Sequence, residues 1–222
     1  MQTVPSSFDP PRSLRNAHVQ TLVSSLFLRK WTLNWKARLL AKEAEDVILE
    51  CSDGIRLHGR YNPHPSPTRG LAILLHGWEG CAESSYQVST TLTLHNAGFD
   101  VFRLHLRDHG PSHSLNPELF NSSRLQEVLD AVKEVQQRYP HEKNYLAGHS
   151  LGGNMSLRIA ARAPESGISL DKVVAVCPVL DPLRTMNELE NGSQVYHKYF
   201  LRRWKRSLAI KLEHFPELGY GD

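Results

Sequence analysis

Gly148-His149-Ser150-Leu151-Gly152 constrains this chain more than any other segment. The apolar run Asn144-Tyr145-Leu146-Ala147 leads into it, and Gly153-Asn154-Met155-Ser156-Leu157-Arg158-Ile159-Ala160 follows with helical character. A strand that passes into a helix over a single residue needs a turn too sharp for ordinary backbone. Glycines two residues either side of the apex remove the Cβ atoms that would collide there. The apex residue, Ser150, is expected in a sparsely populated backbone conformation. The helix behind it would direct free N–H groups and a positive dipole end toward the serine hydroxyl.

Leu71-Ala72-Ile73-Leu74-Leu75 is too continuously apolar for a half-exposed strand and reads as a buried parallel one. The Gly-rich loop that follows, His76-Gly77-Trp78-Glu79-Gly80, is expected at the same sheet edge as Ser150. Together the two segments have the pattern of a nucleophile elbow with its oxyanion loop. Ser150 is the candidate nucleophile, and the backbone N–H groups of Trp78 and Leu151 are the candidate oxyanion donors. The Trp78 ring and Met155 are expected to line an acyl pocket, which an apolar substrate requires. His76 reads as a hydrogen-bonded structural group rather than a catalytic base.

The remaining chain alternates strand-like and helix-like runs, which predicts an α/β fold with a mostly parallel sheet and helices on both faces. Residues 45–62 suit a hairpin around Ser52-Asp53-Gly54. Helices are expected at about 84–97, 122–138 and 152–163, and strands at 99–106, 143–147 and, buried like the others, 171–180. The whole chain, 1–222, reads as one partial domain: an N-terminal arm (1–44) with one short helix and a docking segment, a core sheet (45–182), and the start of a cap (183–222). Between 196 and 215, Phe200, Leu201, Trp204, Leu208 and Leu212 recur at helical spacing among Lys198, Arg202, Arg203, Lys205, Arg206 and Lys211. This amphipathic basic helix reads as a solvated face packed over the core, with Trp204 in a lid, in preference to a surface for anionic lipid.

A net charge of +3 is too small to argue for nucleic acid, and the twelve histidines show no metal-ligand spacing. Cys51, Cys81 and Cys177 are odd in number and scattered, which suits reduced thiols rather than a disulfide framework. With no bilayer-length apolar run and no secretory signal at Met1-Gln2-Thr3-Val4-Pro5, the expected location is cytoplasmic.

Three further segments join the two motifs: Pro10-Pro11 with Leu14-Arg15-Asn16-Ala17-His18-Val19-Gln20-Thr21, Leu106-Arg107-Asp108-His109-Gly110, and Tyr199-Phe200-Leu201-Arg202-Arg203-Trp204. Together they resemble the α/β-hydrolase fold and, within it, the YheT-like branch of carboxylesterases and lipases, related to the mammalian abhydrolase-domain lipases. The resemblance implies hydrolysis of small-molecule acyl esters without a cofactor or metal. It implies a triad in the chain order serine, acid, histidine. Nothing after residue 182 reads as the strands that should carry the last two, so the chain resembles the first two-thirds of the fold. Its acid and histidine are expected beyond residue 222. Asp181, His197, His214, His109 and His113 are not expected to complete the triad. Asp181 reads as a cap for the next segment, and Arg107 with Asp108 as a hydrogen-bonded pair. The strand at 171–180 would then be an apolar edge. Two other readings share these residues: acyl transfer to an alcohol or thiol, and a non-catalytic chain that binds an acyl ligand or a partner.

Overall fold

The apolar runs and the amphipathic stretches between them build a six-stranded sheet, as the computed structural model shows; it describes residues 9–24, 27–65 and 67–219. The strands are β1 (Glu45–Glu50), β2 (Arg56–Asn62), β3 (Leu71–Leu75), β4 (Asp100–Leu104), β5 (Asn144–His149) and β6 (Lys172–Val176). The helices are α1 (Ala17–Ser24), α2 (Phe27–Lys36), α3 (Arg38–Glu43), α4 (Ser85–Asn96), α5 (Leu125–Arg138), α6 (Leu151–Ser166), α7 (Pro182–Asn191) and α8 (Gln194–His214). The arm therefore holds three helices where the sequence suggested one.

Strand order is β1-β2-β4-β3-β5-β6. The hairpin β1–β2 turns through Asp53 and Gly54, both at positive φ, and β2 pairs antiparallel with β4. The pairs β3–β4, β3–β5 and β5–β6 are parallel, as strands connected through helices must be. Leu75 stands level with Leu104 on one side and Gly148 on the other. The loops after β3, β4 and β5 therefore leave the sheet at one edge, and this register brings the two sequence motifs together.

Leu71, Ile73 and Leu75 pack into a core with Val128, Val132 and Val135 of α5 and Met155 and Ile159 of α6. Ala72 and Leu74 alternate to the opposite face and are equally buried, which is the double coverage expected of a parallel sheet. β6 is an edge strand, as expected where the later strands are missing, but it is shorter and less buried than the run 171–180 suggests. It is five residues long, and its side chains alternate between exposed and half-buried. Among the described strands it pairs with β5 alone, and its Lys172, Val174 and Val176 side chains are exposed.

Two buried ion pairs tie the loop after β4 to distant helices. The Arg107 guanidinium grips Glu127 of α5, with Nη2 2.6 Å from Oε2, and its Nη1 donates to the Glu118 carbonyl. Asp108 instead meets Lys211 of α8 at 2.7 Å and accepts the Phe120 N–H. The expected Arg107–Asp108 pair is thus corrected: each takes its partner from a different helix. Lys211, expected on a solvated face, has no solvent exposure.

Candidate active site

Ser150 sits between the end of β5 and the first turn of α6 with φ 54° and ψ −114°, the strained conformation that the motif requires. A non-glycine residue held there costs about 1–3 kcal/mol and persists only where its surroundings over-determine it. Here they do. The Ser150 N–H donates to the Val176 carbonyl at 2.9 Å, and its own carbonyl accepts from Asn154 and Val179. A Cβ on Gly148 would collide with the Gly152 backbone, and one on Gly152 with the Leu75 and His76 carbonyls. Both glycines are therefore required by close backbone approach.

The loop after β3 lies directly alongside. A methyl group on Gly77 would come 3.3 Å from Ser150 Cβ. The loop is held by its polar groups: Gly77 N–H donates to the Tyr86 hydroxyl, Gly80 N–H to the Gly77 carbonyl, and Glu79 N–H to His109 Nε2. Among the described residues, neither the Trp78 N–H nor the Leu151 N–H donates to any protein group. Two free main-chain donors thus flank the serine.

His76, His109 and His113 are already engaged, whereas the buried Nδ1 of His149, the residue before Ser150, has no hydrogen-bond partner among the described residues. His76 is fully buried, donating from Nδ1 to the Gly77 carbonyl and accepting at Nε2 from the Leu106 N–H. Burial, aided by the neighbouring His109 and His105, holds its pKa well below the ordinary value. His109 donates from Nδ1 to the Arg107 carbonyl and accepts from Glu79, and burial lowers its pKa to about 4. His113 Nε2–H donates to Ser207 Oγ, and its pKa is also lowered by burial. His197 contacts the Leu189 carbonyl, and Asp181 caps α7 by accepting from the Arg184 N–H. His214 is exposed at the end of α8. Among the described residues, no histidine or carboxylate is hydrogen-bonded to Ser150 Oγ.

The cap helix α8 lies over this sheet edge, but the contact falls on Phe200, which stacks on Trp78 with ring centroids 5.3 Å apart and planes 8° from parallel. Arg203 Nη2 donates to the Glu79 carbonyl. Trp204 is half-exposed. Met155, expected in the pocket, is wholly buried in the core and offers no surface to a ligand, because its helical position turns it under the sheet. Tyr86 was not legible as a site residue, since nothing in a helix of small polar residues marks the one whose hydroxyl reaches Gly77.

One cluster has metal-ligating atoms: Cys81, Glu83 and His105 lie within 4.8 Å of one another. His105 Nε2, however, accepts the Ala82 N–H at 2.9 Å, and Nδ1 bonds His58. Glu83 pairs with Arg60, and burial raises the pKa of the Cys81 thiol. The donor set is committed to the protein and bordered by cationic side chains, which suits a metal poorly.

The strand order, the strained serine and the adjoining loop define an α/β hydrolase. The chain belongs to the alpha/beta-hydrolase family, whose model matches residues 72–211. Among its relatives is "Putative esterase YheT" of Escherichia coli (strain K12), 26% identical over 214 residues, covering 95% of this chain and 60% of that protein. "Putative esterase slr0264" of Synechocystis sp. is 28% identical over 201 residues, covering 82% of this chain and 54% of the relative. The chain thus spans little more than half the length of these relatives. Among solved structures, Pyrococcus furiosus esterase Pf2001 superposes with a TM-score of 0.60 at 20% identity, over 78% of this chain and 66% of that one. Among the described residues, no helix is long and apolar enough to cross a membrane.

Proposed function

We propose that this chain carries the nucleophile and oxyanion half of a serine carboxylesterase acting on small acyl esters. Ser150 Oγ attacks the ester carbonyl, and the Trp78 and Leu151 N–H groups receive the oxyanion. The observation that carries the reading is the backbone of Ser150, whose strained conformation presents the hydroxyl at the head of α6. The names of the relatives support an ester as substrate. The base is assigned to none of the described histidines: His76 and His109 already spend both ring nitrogens on the fold, and His149, next to Ser150, has a buried Nδ1 without a partner but no hydrogen bond to Ser150 Oγ.

The test is hydrolysis of p-nitrophenyl butyrate, with fluorophosphonate labelling beside it. In a version extended to the full length of the Escherichia coli relative, Ser150→Ala lowers kcat by roughly 10⁴ to 10⁶ and abolishes labelling. The 222-residue chain alone stays within about 10³- to 10⁴-fold of the uncatalysed rate, the residue of catalysis that an oxyanion site supplies without its base. Undiminished turnover in the extended Ser150→Ala protein would sink the reading.

A further inference from the structure

A cavity of about 450 Å³ lies between α8 and the loops after β3 and β4. Its walls include Glu79 and Gly80 from the first loop, Asp108 and His113 from the second, and Arg202, Arg203 and Arg206 from the helix. The four-residue turn Gly77–Gly80 forms one of its walls and also bears the Trp78 N–H beside Ser150. The cavity is thus joined to the serine through the short segment from Trp78 to Glu79, the second of which lines it.

The charges around the cavity do not cancel. Asp108 is neutralised by the buried Lys211. Glu79 faces Arg203, whose guanidinium is also held by the Glu79 carbonyl and the Tyr199 hydroxyl. His113 has its pKa lowered by burial and shares a hydrogen bond with Ser207. Arg202 and Arg206 are left over. Neither has a hydrogen bond or ion pair among the described residues, and α8 contains no carboxylate before Glu213. They stand four residues apart, one helical turn, so both guanidinium groups lie on one face at the cavity wall. Two unpaired guanidinium groups over a semi-enclosed space form the donor arrangement that recognises planar or tetrahedral oxyanions.

We propose that this cavity binds an oxyanion group, phosphate or carboxylate, through Arg202 and Arg206, and that the ester cleaved at Ser150 carries that group. The second clause rests on the esterase reading above; the first does not. The substrate class is then an acyl ester of an anionic alcohol or an ester of a dicarboxylic acid, its charge held over the oxyanion loop while its carbonyl lies at the serine.

The experiment is isothermal titration of the 222-residue chain with sn-glycerol 3-phosphate, with succinate and with uncharged glycerol. Saturable binding of either anion, weakened at least about tenfold in Arg202→Gln/Arg206→Gln, is expected, because each lost charge-assisted contact is worth roughly that factor. The anion that binds identifies the source of the charge. Lys205→Gln, a substitution on the same helix outside the cavity wall, is expected to leave binding within about twofold, as a distant exposed charge is screened. Binding of neither anion, unchanged binding in the double variant, or equal loss in Lys205→Gln would overturn the proposal. No step of this titration requires turnover, so an inactive Ser150 would leave the anion site standing and remove only its link to an ester.

Discussion

β3 and β6 are both five-residue, apolar, parallel strands, and both pair with β5, yet the sheet treats them oppositely. β3 has strand neighbours on both sides and helices over both faces, and none of its residues exceeds 3% exposure. β6 has one neighbour, and its Val174 is 53% exposed. The loops that leave them differ in the same way. After β3, His76, Gly77 and Glu79 are held by hydrogen bonds to Leu106, Tyr86 and His109, and Gly80 bonds back to the Gly77 carbonyl within the loop. After β6, Cys177 is exposed at positive φ, and the chain rejoins the site through Asn154 and Val179. Ser150 thus stands between a closed wall, where the candidate oxyanion donors are, and an open one. The difference teaches that burial belongs to a strand's neighbours and not to its composition.

The largest effect expected to sharpen this contrast lies on the closed side. Lys211→Ala leaves the Asp108 carboxylate buried without its cation and should cost about 3–5 kcal/mol in urea unfolding, since stranding one member of a buried pair is worse than removing both. A loss below about 1 kcal/mol would show that water reaches this contact. Next comes Ile73→Ala in β3, where the cavity left in a fully buried site should cost about 3 kcal/mol by the same measurement.

The third expectation concerns pH. The fold holds His109 neutral, with a pKa lowered from 6.5 to about 4, so between these values the unfolded chain binds the proton and the folded chain does not. Stability is whole above about pH 6.5 and falls as the pH drops toward 4, by about 3 kcal/mol from this group. Replacing His109 with Gln should flatten that part of the stability curve; an unchanged slope would mean that His109 titrates alike in the folded and unfolded chain. The smallest effect belongs to the open wall. Val174→Ala should change stability by less than about 1 kcal/mol, because much of that side chain is already in water. A cost equal to that of Ile73→Ala would erase the contrast.

The closed wall was largely legible. The run at 71–75, the hairpin turn at Asp53-Gly54 and the elbow at Ser150 follow from local rules: continuous apolar character, glycine where φ is positive, and small residues where backbones meet. The edge position of β6 was legible but its length and burial were not, since Val173, Val174 and Val176 have the same apolar character whether or not another element covers them. Met155 is turned into the core by helical position, a direction that its nearness to Ser150 in sequence does not give. The partners of Arg107 and Asp108 were beyond local reading, because Glu127 is 20 residues away and Lys211 is 103, and nothing distinguishes Lys211 from the other basic residues of α8.

Those two adjacent residues have a thermodynamic consequence. Arg107 and Asp108 share a peptide bond, yet one anchors α5 and the other α8, so neither helix can detach without loosening the same dipeptide. α8 then opens with the free energy of the sheet and not with that of a peripheral segment. In amide exchange, the hydrogens of α8 around Lys211 should open in the same cooperative step as those of β4, with protection decaying toward Gln194, where the helix has no such splice.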